Sequence, residues 1–482
     1  MDALKLVSTI GNHSTFGNSS SEIHVEEEED ECNTEIQTDT AETDKRKLKK
    51  LSVLHPPDGG KLAWRLVGVC TFLSVCQETL RNLIKYSDQF TDDVGTDLVA
   101  DIIILFDGFS KFGGVFAALL TLRYGYRMVG IIGSFAASVG LLLASLIPND
   151  TMAYRNFIAV LVGCVSGIGS GFMGYVILVV VLEYFATKRV KALIITKVGC
   201  TLVSLAFTSL LEIKTRNPEI IIPWRHAFKY QGVGMAAAVI VSGLIRTLDL
   251  EPEPKMRKIS HRQPLQYSDF SPKDWNGLLK DLTFYLYAIF FLFYDFAEHL
   301  PAIRDITTNQ LWAFNHNQIT ATKYIPYIGF VCATLPMCFW KSQSLSHILA
   351  VLGPINFIIG LATCVILPYI DFGLIVFYGI VFVIAKNCIL WMLLDVIPDE
   401  FGRNNTRITL GIISFIGGVC EVGSAYATES AKNFIAEPTE KFKAVFILSG
   451  ALVMVSGLFG VFIRCLIVLV KDPDSNRNED ST

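Results

Sequence analysis

Apolar windows recur from about residue 62 to about residue 470, each close to the ~20 residues that span a bilayer's hydrocarbon core. A chain built this way has no soluble way to bury so much apolar surface. Roughly twelve such windows can be placed, beginning near Leu62, Val99, Met128, Phe157, Ala192, His226, Leu282, Gln318, Leu345, Phe372, Ile408 and Ala444. Composition agrees, with 51% hydrophobic and 18% charged residues and a mean hydropathy of +0.45 over 482 residues. In hydrocarbon every backbone amide must be satisfied within its own segment, so the expected fold is an all-α membrane protein.

The longest hydrophilic interruption, from about Arg246 to Lys280, divides the windows six and six. The expected organisation is a disordered acidic cytosolic tail over 1–56, a six-helix half over 57–247, a cytosolic linker over 248–279, a second six-helix half over 280–470 and a short cytosolic tail over 471–482. The first 56 residues carry "HVEEEEDE" and Ser/Thr-rich runs in place of a signal peptide's apolar core, so the amino terminus is expected to stay cytosolic. With an even number of crossings, the basic clusters "KRKLKK", "RYGYR", "KRVK" and "KMRKISHR" then all fall on the cytosolic side, as the positive-inside rule requires. Ten of the eleven cysteines lie inside the apolar windows at unpaired spacings and read as small buried apolar residues. A net charge of −4, with acid concentrated in the first tail, gives no case for a nucleic-acid partner.

Ionisable residues inside the windows are the candidate functional groups, since a charge in hydrocarbon requires a partner or a water-filled cavity. Lys386 lies near the middle of "VFVIAKNCILWMLL", too deep to snorkel easily. Asp107 and Lys111 stand one turn apart in "ILFDGFSKFGG" and are expected to share a helix face and to neutralise one another. Glu78, Arg81 and Lys85 share a face of the first helix, where the Arg81 guanidinium suits a substrate carboxylate. In "FLFYDFAEHLP" the residues Asp295, Glu298 and His299 share a face; without a second ligand cluster or an HExxH pattern they read as counter-charges or a proton site and not as a metal centre. Lys197 and Lys323 lie near helix ends and read as snorkelling residues. "GCVSGIGSGFMG" is expected to let helix backbones approach closely. No cofactor is implied by any motif.

Several segments resemble the monocarboxylate transporter family. "PPDGGKLAW" carries that family's Pro-Asp-Gly-Gly opening to the first helix with Asp58, Gly59 and Gly60. "GGVFAALLTLRYGYR" resembles its second helix and following loop with Tyr124, Gly125 and Arg127, "YFATKRVKA" its loop after helix four with Arg189, and "PWRHAF" its start of helix six with Trp224 and Arg225. "DEFGRNNTRITLG" resembles the corresponding loop after helix ten. The resemblance implies twelve helices in two halves with the major facilitator fold, a plasma-membrane location, a small organic anion as substrate, no enzymatic activity, and a single-span ancillary membrane protein as a partner that some members need. It also implies that Arg81 occupies the position of a family lysine that serves substrate and proton chemistry. The acid and arginine expected one turn apart in helix eight are replaced here by Gly329 and Ala333, and the loop aspartate after helix two by Leu122. The substrate ligands expected are therefore Arg81 and Lys386, with Asp107, Lys111, Asp295 and Glu298 as proton or counter-charge sites. A transport-deficient sensor or scaffold is the alternative reading that loss of the helix-eight pair motivates.

Overall fold

A computed structural model describes residues 60–86, 90, 93–148, 151–216, 223–245, 278–299, 316–341, 343–366, 372–434 and 438–471. The expected tails, nearly all of the linker, and Asp58 and Gly59 lie outside the described residues. Within them the chain forms helices α1 (Lys61–Tyr86), α2 (Thr96–Leu146), α3 (Met152–Ala159), α4 (Ser166–Tyr184), α5 (Arg189–Arg216), α6 (Trp224–Ser242), α7 (Leu282–His299), α8 (His316–Cys338), α9 (Leu345–Ile366), α10 (Phe372–Glu400), α11 (Arg403–Phe434) and α12 (Pro438–Lys471). A π-helical turn, Val160–Val165, joins α3 to α4 into one rod. Seven of these helical stretches are long and apolar enough to cross a membrane, and the protein is a multi-pass membrane protein. One of the seven, Leu98–Leu146, runs for 49 residues, about twice what a bilayer needs.

That long stretch is a hairpin. Gly125 alone leaves helical geometry, at φ 75 and ψ 165, a region that favours glycine because a Cβ would clash there. The packing partners give the direction of each arm. Residues 105, 106 and 110 meet 163, 167 and 171 in turn, whereas 140, 137 and 133 meet 161, 169 and 172. The first arm therefore runs parallel to α4 and the second antiparallel to it. The sequence reads "RYGYR" as a loop between two windows; the structure reduces that loop to a single residue.

Close approach at the α2/α4 seam depends on missing side chains. A Cβ on Gly171 would run into the Ser110 carbonyl, and one on Gly169 into the Gly133 carbonyl and the Ala137 backbone. Between bilayer-embedded helices, which have no hydrophobic drive toward one another, such backbone contact supplies the packing energy.

The second half repeats the first. α1 packs on α5, the first α2 arm on α4 and the second arm on α6; correspondingly α7 packs on α11, α8 on α10 and α9 on α12. The halves meet along α2 with α11 and α5 with α8, with smaller contacts from α4 and α5 to α10. On the α2/α11 seam small residues again lie at the contact, Gly114 against Ser414 and Ala118 against Gly411, and the Phe112 and Phe415 rings lie 5.5 Å apart. The outward surface is studded with exposed Phe116, Phe135, Phe157, Val331 and Leu361, as a lipid-facing surface requires. Both prolines of "KYIPYIGFVCATLP", Pro326 and Pro336, sit inside the single helix α8.

Candidate functional site

Two ionic layers tie the halves together. The first lies at the end of the bundle that holds the Gly125 hairpin and the turns α4–α5 and α10–α11. There Arg189, at the start of α5, reaches across to the end of α10. Its Nη1 and Nη2 donate to the two Asp399 oxygens at 2.7 and 2.8 Å, Nη1 also donates to the Asp395 carbonyl at 3.1 Å, and Nε donates to the Phe185 carbonyl at 2.8 Å. Arg189 is buried while Asp399 keeps half of its side chain exposed. In the opposite sense Arg407, at the start of α11, reaches back to the end of α4. Its Nε and Nη2 donate to the Glu183 oxygens at 2.7 and 3.0 Å, and Nη2 also donates to the Tyr126 hydroxyl at 2.7 Å. Tyr126 in turn donates to Glu183, and the guanidinium lies over its ring at 4.8 Å. Tyr175 of α4 completes the contact by donating to the Arg407 carbonyl at 2.8 Å.

Each half thus contributes one arginine and one carboxylate, and each arginine grips the other half bidentately. These two ion pairs form a latch across the halves and close this end of the bundle in this structure. Sequence reasoning placed Arg189 in a family motif and noted that the two loops correspond, but it missed Glu183, Tyr126, Asp395 and Arg407. The visible signal was an acid closing one helix and an arginine opening the next in both "EYFATKR" and "DEFGRNNTR".

The second layer lies deeper. Taking 1.5 Å per helical residue, Lys111 lies about 21 Å from the hairpin, Glu421 about 21 Å from Arg407, Asp295 about 20 Å from the start of α7 and Lys386 about 20 Å from Asp399. Four ionisable residues on four helices therefore share one depth. Lys111 of α2 donates to Asp295 Oδ2 of α7 at 3.2 Å and lies 3.6 Å from Glu421 Oε2 of α11. Both carboxylates are buried, with side-chain exposures of 9% and 7%. Lys386 is half-buried on α10, and its carbonyl accepts from the Tyr294 hydroxyl at 3.2 Å, one residue from Asp295.

Slightly farther from the latch, Arg81 of α1 donates from Nη2 to Asp107 Oδ2 at 2.9 Å; Asp107 is buried, and half of the arginine side chain is open. The structure therefore carries the Asp107 and Lys111 charges to partners on other helices, in place of the expected pair along one face. Beside Arg81, Asn82 donates to Ser204 Oγ at 2.7 Å, and Ser204 to Glu78 at 3.3 Å, giving α1 and α5 a shared polar face. Glu421 was not singled out from the sequence, because "GGVCEVGSAY" shows one acid in an otherwise ordinary glycine-rich helix. The side chains of Lys85, Glu298, His299 and Lys323 lie outside the described residues.

The remaining motif residues are structural in placement. Trp224 is buried, donates from Nε1 to Asp93 at 2.7 Å and packs edge-on to Phe90 and Phe228, with Arg225 over its ring at 5.2 Å. Tyr124 and Arg127 are exposed beside the Gly125 turn, and Gly60 precedes α1.

No family model matches the chain. Among curated proteins it is 27% identical to mouse monocarboxylate transporter 14 over 222 residues, 45% of this chain and 41% of that protein. It is 25% identical to human monocarboxylate transporter 7 over 159 residues, 32% of this chain and 28% of that one. The matches thus span less than half the length of either relative. Among solved structures it is similar to the proton:xylose symporter XylE bound to 6-bromo-6-deoxy-D-glucose, with a TM-score of 0.58 and 11% identity over 82% of this chain and 94% of that one. A double-tryptophan XylE variant gives 0.62 and 11% over 84% and 98%, and the E. coli fucose:proton symporter FucP gives 0.54 and 14% over 83% and 99%. At such identities the structural likeness speaks to fold. The chain is thus similar over part of its length to monocarboxylate transporters, and its paired halves share the fold of these symporters of the major facilitator superfamily.

Proposed function

We propose that the protein is a plasma-membrane secondary transporter that carries a small organic anion, a monocarboxylate, by alternating access. The observation that carries this reading is the separation of two ionic layers, a closed latch at one end and a charged layer roughly 20 Å deeper between the same halves. A rocking pair of halves needs both: contacts that form in one orientation and break in the other, and a site at mid-depth that stays with the moving surfaces.

In this reading Arg81 and Lys386 receive the substrate carboxylate. Arg81 offers a planar fork with half of its side chain open, so a carboxylate can share the guanidinium with Asp107 before displacing it. Lys386 supplies a point charge on the opposite half, so the bound anion draws the halves together. The latch end is the cytosolic end, which places both termini and the basic clusters inside. A single-span ancillary membrane protein and the bilayer itself are the other partners of this reading.

Reconstitution in proteoliposomes tests it. Radiolabelled pyruvate should accumulate or exchange above empty vesicles, and Arg81→Ala should abolish the signal at equal incorporation. Absence of uptake and exchange across a panel of short monocarboxylates, with correctly inserted protein, would refute the reading.

A further inference from the structure

We propose that Glu78, one turn before Arg81 on α1 and oriented by Ser204 of α5, binds an ammonium, so that the preferred substrate is a carboxylate that also carries an amino group. This rests on the transport reading above and names the substrate class of the same site. The geometry begins with hydrogen-bond direction. The Asn82 amide nitrogen can only donate, and it donates to Ser204 Oγ at 2.7 Å; the Ser204 hydroxyl then turns its own hydrogen to Glu78 Oε1 at 3.3 Å. Asn82 and Ser204 are both buried, so this chain fixes where the carboxylate stands and holds Oε1 as an acceptor. Glu78 itself is half-buried, and among the described residues nothing donates to its Oε2.

The nearby cations are engaged elsewhere. Arg81 feels the Glu78 charge, yet its guanidinium donates to Asp107 at 2.9 Å. Lys197 of α5 is exposed and stands about 10 Å nearer the latch than Ser204 by helical rise. Among the described residues no cation lies within salt-bridge distance of Glu78. A carboxylate one turn from the Arg81–Asp107 contact lies within the bundle, where a charge requires a partner or a water-filled cavity.

Ligand chemistry follows from these neighbours. A carboxylate arriving at Arg81 meets Asp107 on the guanidinium and Glu78 one turn away, both of its own sign. An ammonium a few bonds along the ligand turns the second of these into an attraction. Helix positions three residues apart place their Cβ atoms about 5–6 Å from one another, a span that a short amino acid bridges. Its carboxylate takes the open side of Arg81 and, from the other half, Lys386; its ammonium takes Glu78 Oε2. Because α5 also meets α8 of the second half, this polar face lies beside the boundary along which the halves rock. A monocarboxylate without the ammonium keeps only the first contact and binds more weakly.

β-Alanine and propionate share one carbon skeleton and differ in the ammonium, so their binding to the full-length protein in nanodiscs tests the site. Competition against radiolabelled β-alanine should show β-alanine binding at least tenfold tighter than propionate. Glu78→Gln should remove that preference while propionate affinity stays within twofold of the parent, and Glu78→Asp should restore part of it. Equal binding of the two ligands by the parent protein, binding of neither, or a β-alanine preference that persists in Glu78→Gln overturns the proposal. If Glu78→Gln loses both ligands, Glu78→Asp decides: it must again favour β-alanine over propionate, and failure to do so refutes the assignment. Preferential binding of β-alanine without uptake or exchange of it in proteoliposomes would instead count against the transport reading and leave the ammonium site standing.

Discussion

Substituting Arg407 should open the latched end of the bundle. Arg407→Gln removes two charge-assisted hydrogen bonds of 2.7 and 3.0 Å from Glu183, whose side chain is 1% exposed, and leaves that carboxylate buried beside the Tyr126 hydroxyl. Breaking one partner of a buried pair costs about 3–5 kcal/mol because the survivor keeps its desolvation penalty. Here the survivor escapes that penalty whenever the halves part and water reaches it, so the cost falls on the latched state alone. Taking about 3 kcal/mol at 1.4 kcal/mol per decade, the equilibrium between latched and open states should move roughly 100-fold toward open. Asp399→Asn strikes the reciprocal clamp, where the surviving Arg189 is buried but keeps the Phe185 and Asp395 carbonyls and the Asp395 carboxylate at 4.0 Å, so its shift should have the same direction and be smaller. Spin labels at Arg127 and Lys341, exposed positions of opposite halves at this end, report the separation by pulsed electron resonance in a cysteine-substituted background. A distance distribution in Arg407→Gln that matches the parent protein would refute the assignment of Arg407 as a latch residue.

Three further outcomes are expected. Lys386→Ala should lower pyruvate uptake at least tenfold at normal expression while Lys386→Arg retains part of it; normal uptake by the alanine variant would return Lys386 to a structural role. Gly171→Ala should destabilise the α2/α4 seam by about 1–3 kcal/mol, since its Cβ meets the Ser110 carbonyl, whereas Gly68→Ala, with nothing within 4 Å, should be silent. Thermal unfolding in detergent compares the two, and equal midpoints would sink the packing argument. Tags at both termini should be reached by antibody only after permeabilisation of intact cells; staining of either one without it would invert the topology.

The helices were readable because hydrocarbon imposes one solution on the backbone, so apolar length alone announces α9 or α10. The hairpin was less so: "RYGYR" looks like an ordinary polar loop, and only the geometry shows that Gly125 by itself reverses the chain. Depth was legible as well, since Lys111, Asp295 and Lys386 stand out against apolar neighbours. Pairing was not. Asp107 and Lys111 satisfy every sequence criterion for a pair along one face, yet Arg81 and Asp295, 26 and 184 residues away from them, take those places in the structure. Spacing along a helix decides which residues share a face, and packing between helices decides what that face meets. Glu183 and Arg407 escaped notice for the same reason, being charges at helix ends where a solvated group is the ordinary expectation.

The two ionic layers behave differently under exchange of the halves. At the hairpin end each half presents an acid from one helix and an arginine from the next, so swapping their places reproduces the same pattern of contacts, as in the isologous interface of a two-fold dimer. At mid-depth the swap fails: the ammonium of Lys111 belongs to the first half, and both carboxylates it meets belong to the second. The closure of this protein is therefore self-complementary, whereas the Lys111 contact deeper in is directional, with its donor in one half and both acceptors in the other. A symmetric shell can open and shut, but only an asymmetric lining tells the two halves apart.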